Sequence, residues 1–203
     1  MFSPPERDPA RDAALEAMLP HVPFDGWTGR ALRHGMRDRG LAEEDADLLF
    51  PGGAIDMVET FCDWADRRME TAAADLPETG LSRRVRAVIA LRLRQNAPYK
   101  EAVRRAMGIL ALPRNARVAA GCTARTVDAI WHAAGDTSAD FSWYTKRAIL
   151  TGVYVPTLLV WLRDTGYDAA ETLGFLDRRL AGVGRIGSLR RRAEQTFNRL
   201  RPA

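Results

Sequence analysis

Apolar residues recur every three to four positions along the whole chain, and no stretch alternates apolar and polar residues with β-branched enrichment. That pattern limits the fold to helices packed on helices. Ala14, Leu15, Met18 and Leu19 make a short first helix, stopped by Pro20 and Pro23. Trp27, Ala31, Leu32, Gly35 and Met36 make a second, ending near Gly40. Ala42, Ala46, Leu49 and Phe50 suggest a short third over Leu41 to Phe50, ahead of Pro51-Gly52-Gly53. In the long fourth, Ile55, Val58, Cys62, Ala65, Met69, Ala72 and Leu76 step by three and four until Pro77 and Gly80.

More helices follow. Leu81, Val85, Val88, Ile89 and Arg92 line the fifth. Asn96 is expected to cap the sixth, with Ala102, Val103, Ala106, Met107 and Leu110 as its stripe. Asn115 is expected to cap the seventh, where Ala119, Cys122, Thr126, Val127, Ile130 and Trp131 share a face and Gly135 is the stop. Ser142 is expected to cap an eighth helix running to about Thr165, and Asp168 and Glu171 have capping-box spacing for a ninth. Gly182, Gly184 and Gly187 loosen the chain before a last helix, about Ile186 to Leu200. The expected fold is all-α, a bundle of about ten helices. Residues 1–53 form a head, 54–181 a body, and 182–203 a hinge with a terminal amphipathic helix. Three short helices before a long one and a larger body match the layout of TetR-type regulators, with a helix-turn-helix head.

Charge decides against such a head reading DNA. Residues 1–80 hold 8 basic and 17 acidic side chains, net −9, whereas residues 81–203 hold 22 and 9, net +13. The candidate recognition helix, Leu41 to Phe50, carries Glu43, Glu44, Asp45 and Asp47 and no basic residue. Carboxylates near phosphate are repelled, so the head is expected to bind no specific DNA. Arg30, Arg33, Arg37 and Arg39 on the second helix argue the other way and keep a ligand-responsive TetR-like repressor as the alternative.

Two cysteines in 203 residues exclude a disulfide-dense scaffold and a four-cysteine zinc site. No run nears the 18 or so apolar residues of a spanning helix, and no signal peptide is visible in residues 1–10. Only Lys100 and Lys146 are lysines, which reads as a GC-rich bacterial source.

Two stretches carry a family resemblance: Pro20-His21-Val22-Pro23-Phe24-Asp25-Gly26-Trp27-Thr28, and Ala134 to Arg147 with its specific Asp140-Phe141-Ser142-Trp143-Tyr144-Thr145 block. Tyr154 and Phe175-Leu176-Asp177-Arg178-Arg179 add support. The chain resembles the coenzyme Q (ubiquinone) biosynthesis protein Coq-nine family from about residue 10 to 192. The resemblance implies a TetR-like fold that no longer regulates DNA. It implies isoprenoid lipid binding, membrane docking through a C-terminal amphipathic helix, and presentation of ubiquinone intermediates to the di-iron demethoxyubiquinone hydroxylase. It places Trp143 and Tyr144 on the partner surface. Pro156 departs from the family pattern, and a proline inside the eighth helix is expected to kink it.

The residues also speak without the family. The eighth helix is apolar nearly all round, so it is buried, lies at an oligomer interface, or meets lipid. Trp143 and Tyr144 stand at its start, where large aromatics with polar tips favour interfaces. On the last helix Ile186, Leu189, Ala193, Phe197 and Leu200 share a face, with Arg190, Arg191, Arg192 and Arg199 largely elsewhere. An arginine-rich amphipathic helix suits an anionic membrane surface. Catalytic and metal-ligand spacings are missing: His21 sits in a Pro-flanked stretch, His34 on the second helix and His132 on the seventh, with no His-x-x-x-His or Glu-x-x-His pair.

The expectation is therefore a non-catalytic accessory protein with no metal and no cofactor beyond a bound isoprenoid lipid or quinone intermediate. Its cavity would draw on Leu91, Val103, Met107, Trp131, Tyr154, Leu158 and Trp161. Ile186, Leu189, Arg190, Arg191, Arg192, Phe197, Arg199 and Leu200 would meet the membrane. The chain would act as a homodimer, cytoplasmic and peripheral on the inner face of a bacterial membrane.

Overall fold

The computed structural model describes residues 3–136, 142–166 and 168–183, and no strand occurs among them. The chain divides into two compact units, Met1–Asp140 and Phe141–Ala203, a division by packing rather than by function.

The first unit opens with α1 (Pro9–Met18), capped by Asp8, whose carboxylate accepts from Ala10 N at 2.8 Å. A single turn, α2 (Val22–Asp25), then occupies the Pro-flanked stretch that the sequence left without a helix. Thr28 caps α3 (Gly29–Asp38), accepting from Ala31 N at 3.3 Å. α1 and α3 pack through Leu15, Met18, Leu19, Leu32 and Met36, all fully buried. Gly35 sets how closely they approach, because a Cβ there would lie 2.3 Å from the Ala17 carbonyl oxygen.

The expected third helix is cut down to a 3₁₀ turn at Glu43–Asp45 and the single turn α4 (Ala46–Leu49). Neither has a side-chain cap, and Glu43 and Asp47 would place like charges at i,i+4 in a continuous helix.

Next come α5 (Gly53–Ala73), α6 (Leu81–Asn96), α7 (Lys100–Leu110) and α8 (Ala116–Ala133). α5 is the central post of this unit, packing against α1, α6, α7 and α8. Trp27 anchors the head to it, donating Nε1–H to the Ala102 carbonyl at 3.0 Å while its ring meets Phe61. Buried Arg11 adds a polar clamp to Leu49 O and Asp56 Oδ1, both at 2.5 Å, and to Thr60 Oγ1 at 2.9 Å.

Deeper, Asp66 of α5 pairs with Arg92 of α6 at 2.6 Å and accepts from Thr126 Oγ1 of α8 at 3.0 Å. All three are buried, so three helices meet on one carboxylate. Burial pushes the Asp66 carboxyl up to about 6, against the opposing pull of Arg92 and Thr126. Arg84 donates to the orphan carbonyls of Ala73 at 3.0 Å and Ala133 at 3.2 Å, tying the ends of α5 and α8.

Two expected caps take other roles. Asn96 ends α6 buried and makes no cap bond to the Ala97–Tyr99 turn. Asn115 turns back and donates to the Ile109 carbonyl at 2.8 Å, closing α7 instead of opening α8. Gly135, at φ 84°, is the stop the sequence required.

The second unit contains α9 (Ser142–Arg163) and α10, residues 170–183. Pro156 lies inside α9, and the helix continues through it. Asp164 accepts from Thr172 N at 3.0 Å and Oγ1 at 2.7 Å, and from Gly166 N at 2.9 Å, fastening the start of α10 to the end of α9. Asp168 acts as the expected cap, accepting from Ala170 N at 3.2 Å. Gly182, read as part of a hinge, sits within α10. The expected amphipathic helix, about Ile186 to Leu200, lies outside the described residues. No helix among the described residues is long and apolar enough to cross a membrane.

Candidate functional site

α9 concentrates the candidate residues. Leu150, Val153, Tyr154, Leu158, Trp161 and Leu162 are buried. Tyr154, Leu158 and Trp161 follow i, i+4, i+7 spacing and share one face. Other α9 positions are open: Tyr144 is 70% exposed, Ile149 42% and Leu159 48%, and Thr145, Ala148, Gly152 and Arg163 are exposed as well. Trp143 is the second residue of the same helix.

The seven residues expected to line a lipid cavity divide between the units. Leu91 on α6 and Val103 on α7 are buried, and Met107 on α7 and Trp131 on α8 are half-buried. α8 packs against both α6 and α7, so these four come from neighbouring helices. Tyr154, Leu158 and Trp161 belong to the second unit. A groove of about 550 Å³ in the first unit uses none of the seven; Asp12, Glu16, Trp64, Arg67, Arg68 and Gln95 give it a charged lining. Ile186, Leu189, Arg190, Arg191, Arg192, Phe197, Arg199 and Leu200 fall outside the described residues.

In the head, three of the four arginines that favoured DNA, Arg30, Arg33 and Arg37, are engaged with carboxylates. Arg33 Nη2 contacts both Asp47 oxygens, at 2.8 and 2.7 Å, and Arg37 forks onto Glu43 at 3.1 and 2.6 Å. Both acids come from the segment where a recognition helix would lie. Arg30 pairs with Asp25. The Arg37 hydrogen bond holds the Glu43 carboxyl below its usual range, as Arg30 and then His34 do for Asp25.

Sequence spacing offered no metal pair, but the fold makes a group of three. His21, Asp25 and His34 converge, with one ligating atom from each within 4.8 Å of the others. The His21–Asp25 spacing of four was legible; His34 arrives only by the packing of α3. Cys62 of α5 and Cys122 of α8 meet thiol to thiol, which pushes the Cys62 thiol up and the Cys122 thiol down.

These features define, over the described residues, an all-helical protein of TetR-like fold in which head residues Arg30, Arg33 and Arg37 pair with carboxylates. The TetR transcriptional regulator of Nitrosomonas europaea superposes with a TM-score of 0.67 at 21% identity, over 86% of this chain and 97% of that one. That likeness shows the fold. The COQ9 family model matches residues 116–187. The mitochondrial ubiquinone biosynthesis protein COQ9 of Rattus norvegicus is 32% identical over 191 residues, covering 90% of this chain and 61% of that protein. The Homo sapiens protein is 32% identical over 190 residues, covering 90% and 60%. The Schizosaccharomyces pombe protein is 32% identical over 179 residues, covering 87% and 70%. The chain belongs to the COQ9 family, and spans about three fifths of the length of the rat and human relatives.

One expectation is overturned. The relatives from rat, frog, human and fission yeast are all named as mitochondrial proteins of eukaryotes, against a cytoplasmic protein on a bacterial membrane. The physical reason is that an arginine-for-lysine bias reflects coding composition and says nothing about compartment.

Proposed function

We propose that this chain serves ubiquinone biosynthesis as a non-catalytic, lipid-binding accessory protein that presents isoprenoid quinone intermediates to the membrane-associated demethoxyubiquinone hydroxylase. Family membership supports the pathway. The lipid and partner roles rest on α9, a 22-residue helix that buries Tyr154, Leu158 and Trp161 and leaves Tyr144, Ile149 and Leu159 in solvent. Ile149 and Leu159 are large apolar side chains at exposed positions, where a helix facing only water carries mostly polar ones. The hydroxylase would meet Trp143 and Tyr144, and a second copy of the chain would cover Ile149 and Leu159. The repressor alternative shares the fold but would have to break the Arg33–Asp47 and Arg37–Glu43 pairs and place their carboxylates against phosphate.

Changing Trp143 and Tyr144 together to Ala is expected to leave the melting temperature nearly intact while weakening hydroxylase binding at least about tenfold, as truncating interface aromatics does. An organic extract of the folded protein should contain an isoprenoid lipid by mass spectrometry. Large destabilisation with unchanged hydroxylase affinity, or an extract with no lipid after expression in quinone-producing cells, would overturn the reading.

The membrane part rests on the arginine-rich segment. Each arginine near an anionic leaflet contributes about 1 kcal/mol, and the apolar face adds to it. Removing residues from Gly187 onward is expected to abolish sedimentation with anionic vesicles while the rest stays folded. Replacing Arg190, Arg191, Arg192 and Arg199 by Gln should weaken binding most at low salt. Unchanged co-sedimentation of the truncated chain would place the anchor elsewhere.

A further inference from the structure

Three ligating side chains meet on the head, and the proposed lipid and partner surfaces use none of them. His21 precedes α2 and Asp25 ends it. The Phe24 and Asp25 amides both donate to the His21 carbonyl, at 3.0 and 2.9 Å, so one helical turn brings residues 21 and 25 to the same side. His34 comes from the polar face of α3. Its Nδ1 stands 3.1 Å from Asp25 Oδ2, and its ring lies 5.9 Å from the His21 ring at 64°. One ligating atom from each residue lies within 4.8 Å of the other two. We propose that His21, Asp25 and His34 form a binding site for a divalent transition-metal ion of the zinc type.

The donor set fits that chemistry. Two imidazoles and one carboxylate are the three protein ligands of an open zinc site, and nitrogen with carboxylate oxygen suits zinc and its first-row neighbours over calcium or magnesium. Arg30 engages Asp25 through Oδ1, which leaves Oδ2 turned to His34, and its positive charge is outweighed by the two carboxylates of Asp25 and Asp38. Asp38 adds a second carboxylate 2.9 Å from His21 Nε2. Access is open, since the His21 and His34 side chains are 25% and 41% exposed while Asp25 is 10% exposed.

The frame is packed into the first unit: Val22, the first residue of α2, is fully buried, and Trp27 donates to the Ala102 carbonyl. Gly35, next to His34, holds α3 against the α1 backbone. Small side-chain rotations at a fixed backbone are all that ligation requires. The ion would staple α2 to α3 and keep one coordination position for water.

The test is zinc titrated into the full-length chain, stripped of metal, in competition with a chromophoric chelator. One ion per chain is expected, with an apparent Kd of about 1 μM or tighter. His21→Ala and His34→Ala should each weaken it at least about tenfold. His132→Ala should not, because His132 pairs with Glu70 on a different surface, at 3.0 Å. Cobalt should give visible ligand-field bands that His34→Gln diminishes. Far-UV circular dichroism of each variant confirms folding, and zinc should raise the melting temperature of the wild type but not of His34→Gln. A Kd weaker than about 100 μM, or tight binding indifferent to both histidines, would overturn the site.

Discussion

Replacing Asp66 by Ala is expected to cost about 3–5 kcal/mol, the range for removing one partner of a buried ion pair. The loss comes from what remains: the Arg92 guanidinium would sit buried between α5 and α6 with no Asp66 oxygen beside it, whereas the native carboxyl, ionised or protonated, keeps one 2.6 Å away. Thr126 would lose its acceptor as well. Urea unfolding checks the magnitude. A double substitution to apolar residues, Asp66→Leu with Arg92→Met, should recover much of the loss, because it removes both charges rather than stranding one.

The pH dependence carries the same signature with a definite sign. Burial raises the folded-state carboxyl to about 6 from its ordinary 3.8, so between those values the folded chain binds more protons than the unfolded one. This group's contribution to stability is greatest below about 3.8, falls as pH rises through that window and is flat above about 6. Asp66→Asn should remove this segment of the stability–pH curve. A variant that keeps the slope would show that another group produces it.

Gly35→Ala is the second large effect. The added Cβ would meet backbone only: Ala17 O at 2.3 Å, Ala17 C at 2.4 Å and Met18 N at 2.6 Å. No flexible side chain can move aside, so α1 must shift away from α3 and open the Leu15, Met18, Leu32 and Met36 packing. Overpacking of this kind costs about 1–3 kcal/mol and more where backbone is the obstacle. At about 2–4 °C per kcal/mol for a chain of this size, the melting temperature should drop measurably. Gly108→Ala is the control. It lies within α7 with nothing inside 4 Å of the new Cβ, and should be neutral or stabilising by up to about 1 kcal/mol. Equal behaviour of the two variants would mean that the α1–α3 approach is looser than 2.3 Å implies.

The sequence by itself determined what local spacing controls. A three-to-four period gave the helices, Pro and Gly gave most of their ends, Gly135 and Asp168 took the terminal roles their chemistry suits, and the run from Glu43 to Asp47 set the acidic character of that segment. The specific block around Trp143 and Tyr144 was enough to identify the family. Caps were less legible, because Asn96 and Asn115 have the right chemistry in the wrong direction: one is buried at the end of α6 and the other turns back to Ile109.

Tertiary structure alone decided the pairings between distant residues. Asp66 meets Arg92 and Thr126 across 26 and 60 positions, and Gly35 meets Ala17 across two helices. His34 joins His21 and Asp25 because α3 packs beside α2. The same packing turned Arg33 and Arg37, which counted as basic character along the chain, into occupied partners of Asp47 and Glu43. The physical reason is one of range. Backbone hydrogen bonds and side-chain spacing act over about four residues and are written in sequence order. The distances between helices are set by close packing of side chains far apart in the chain, and those distances decide which charges pair and which ligands meet.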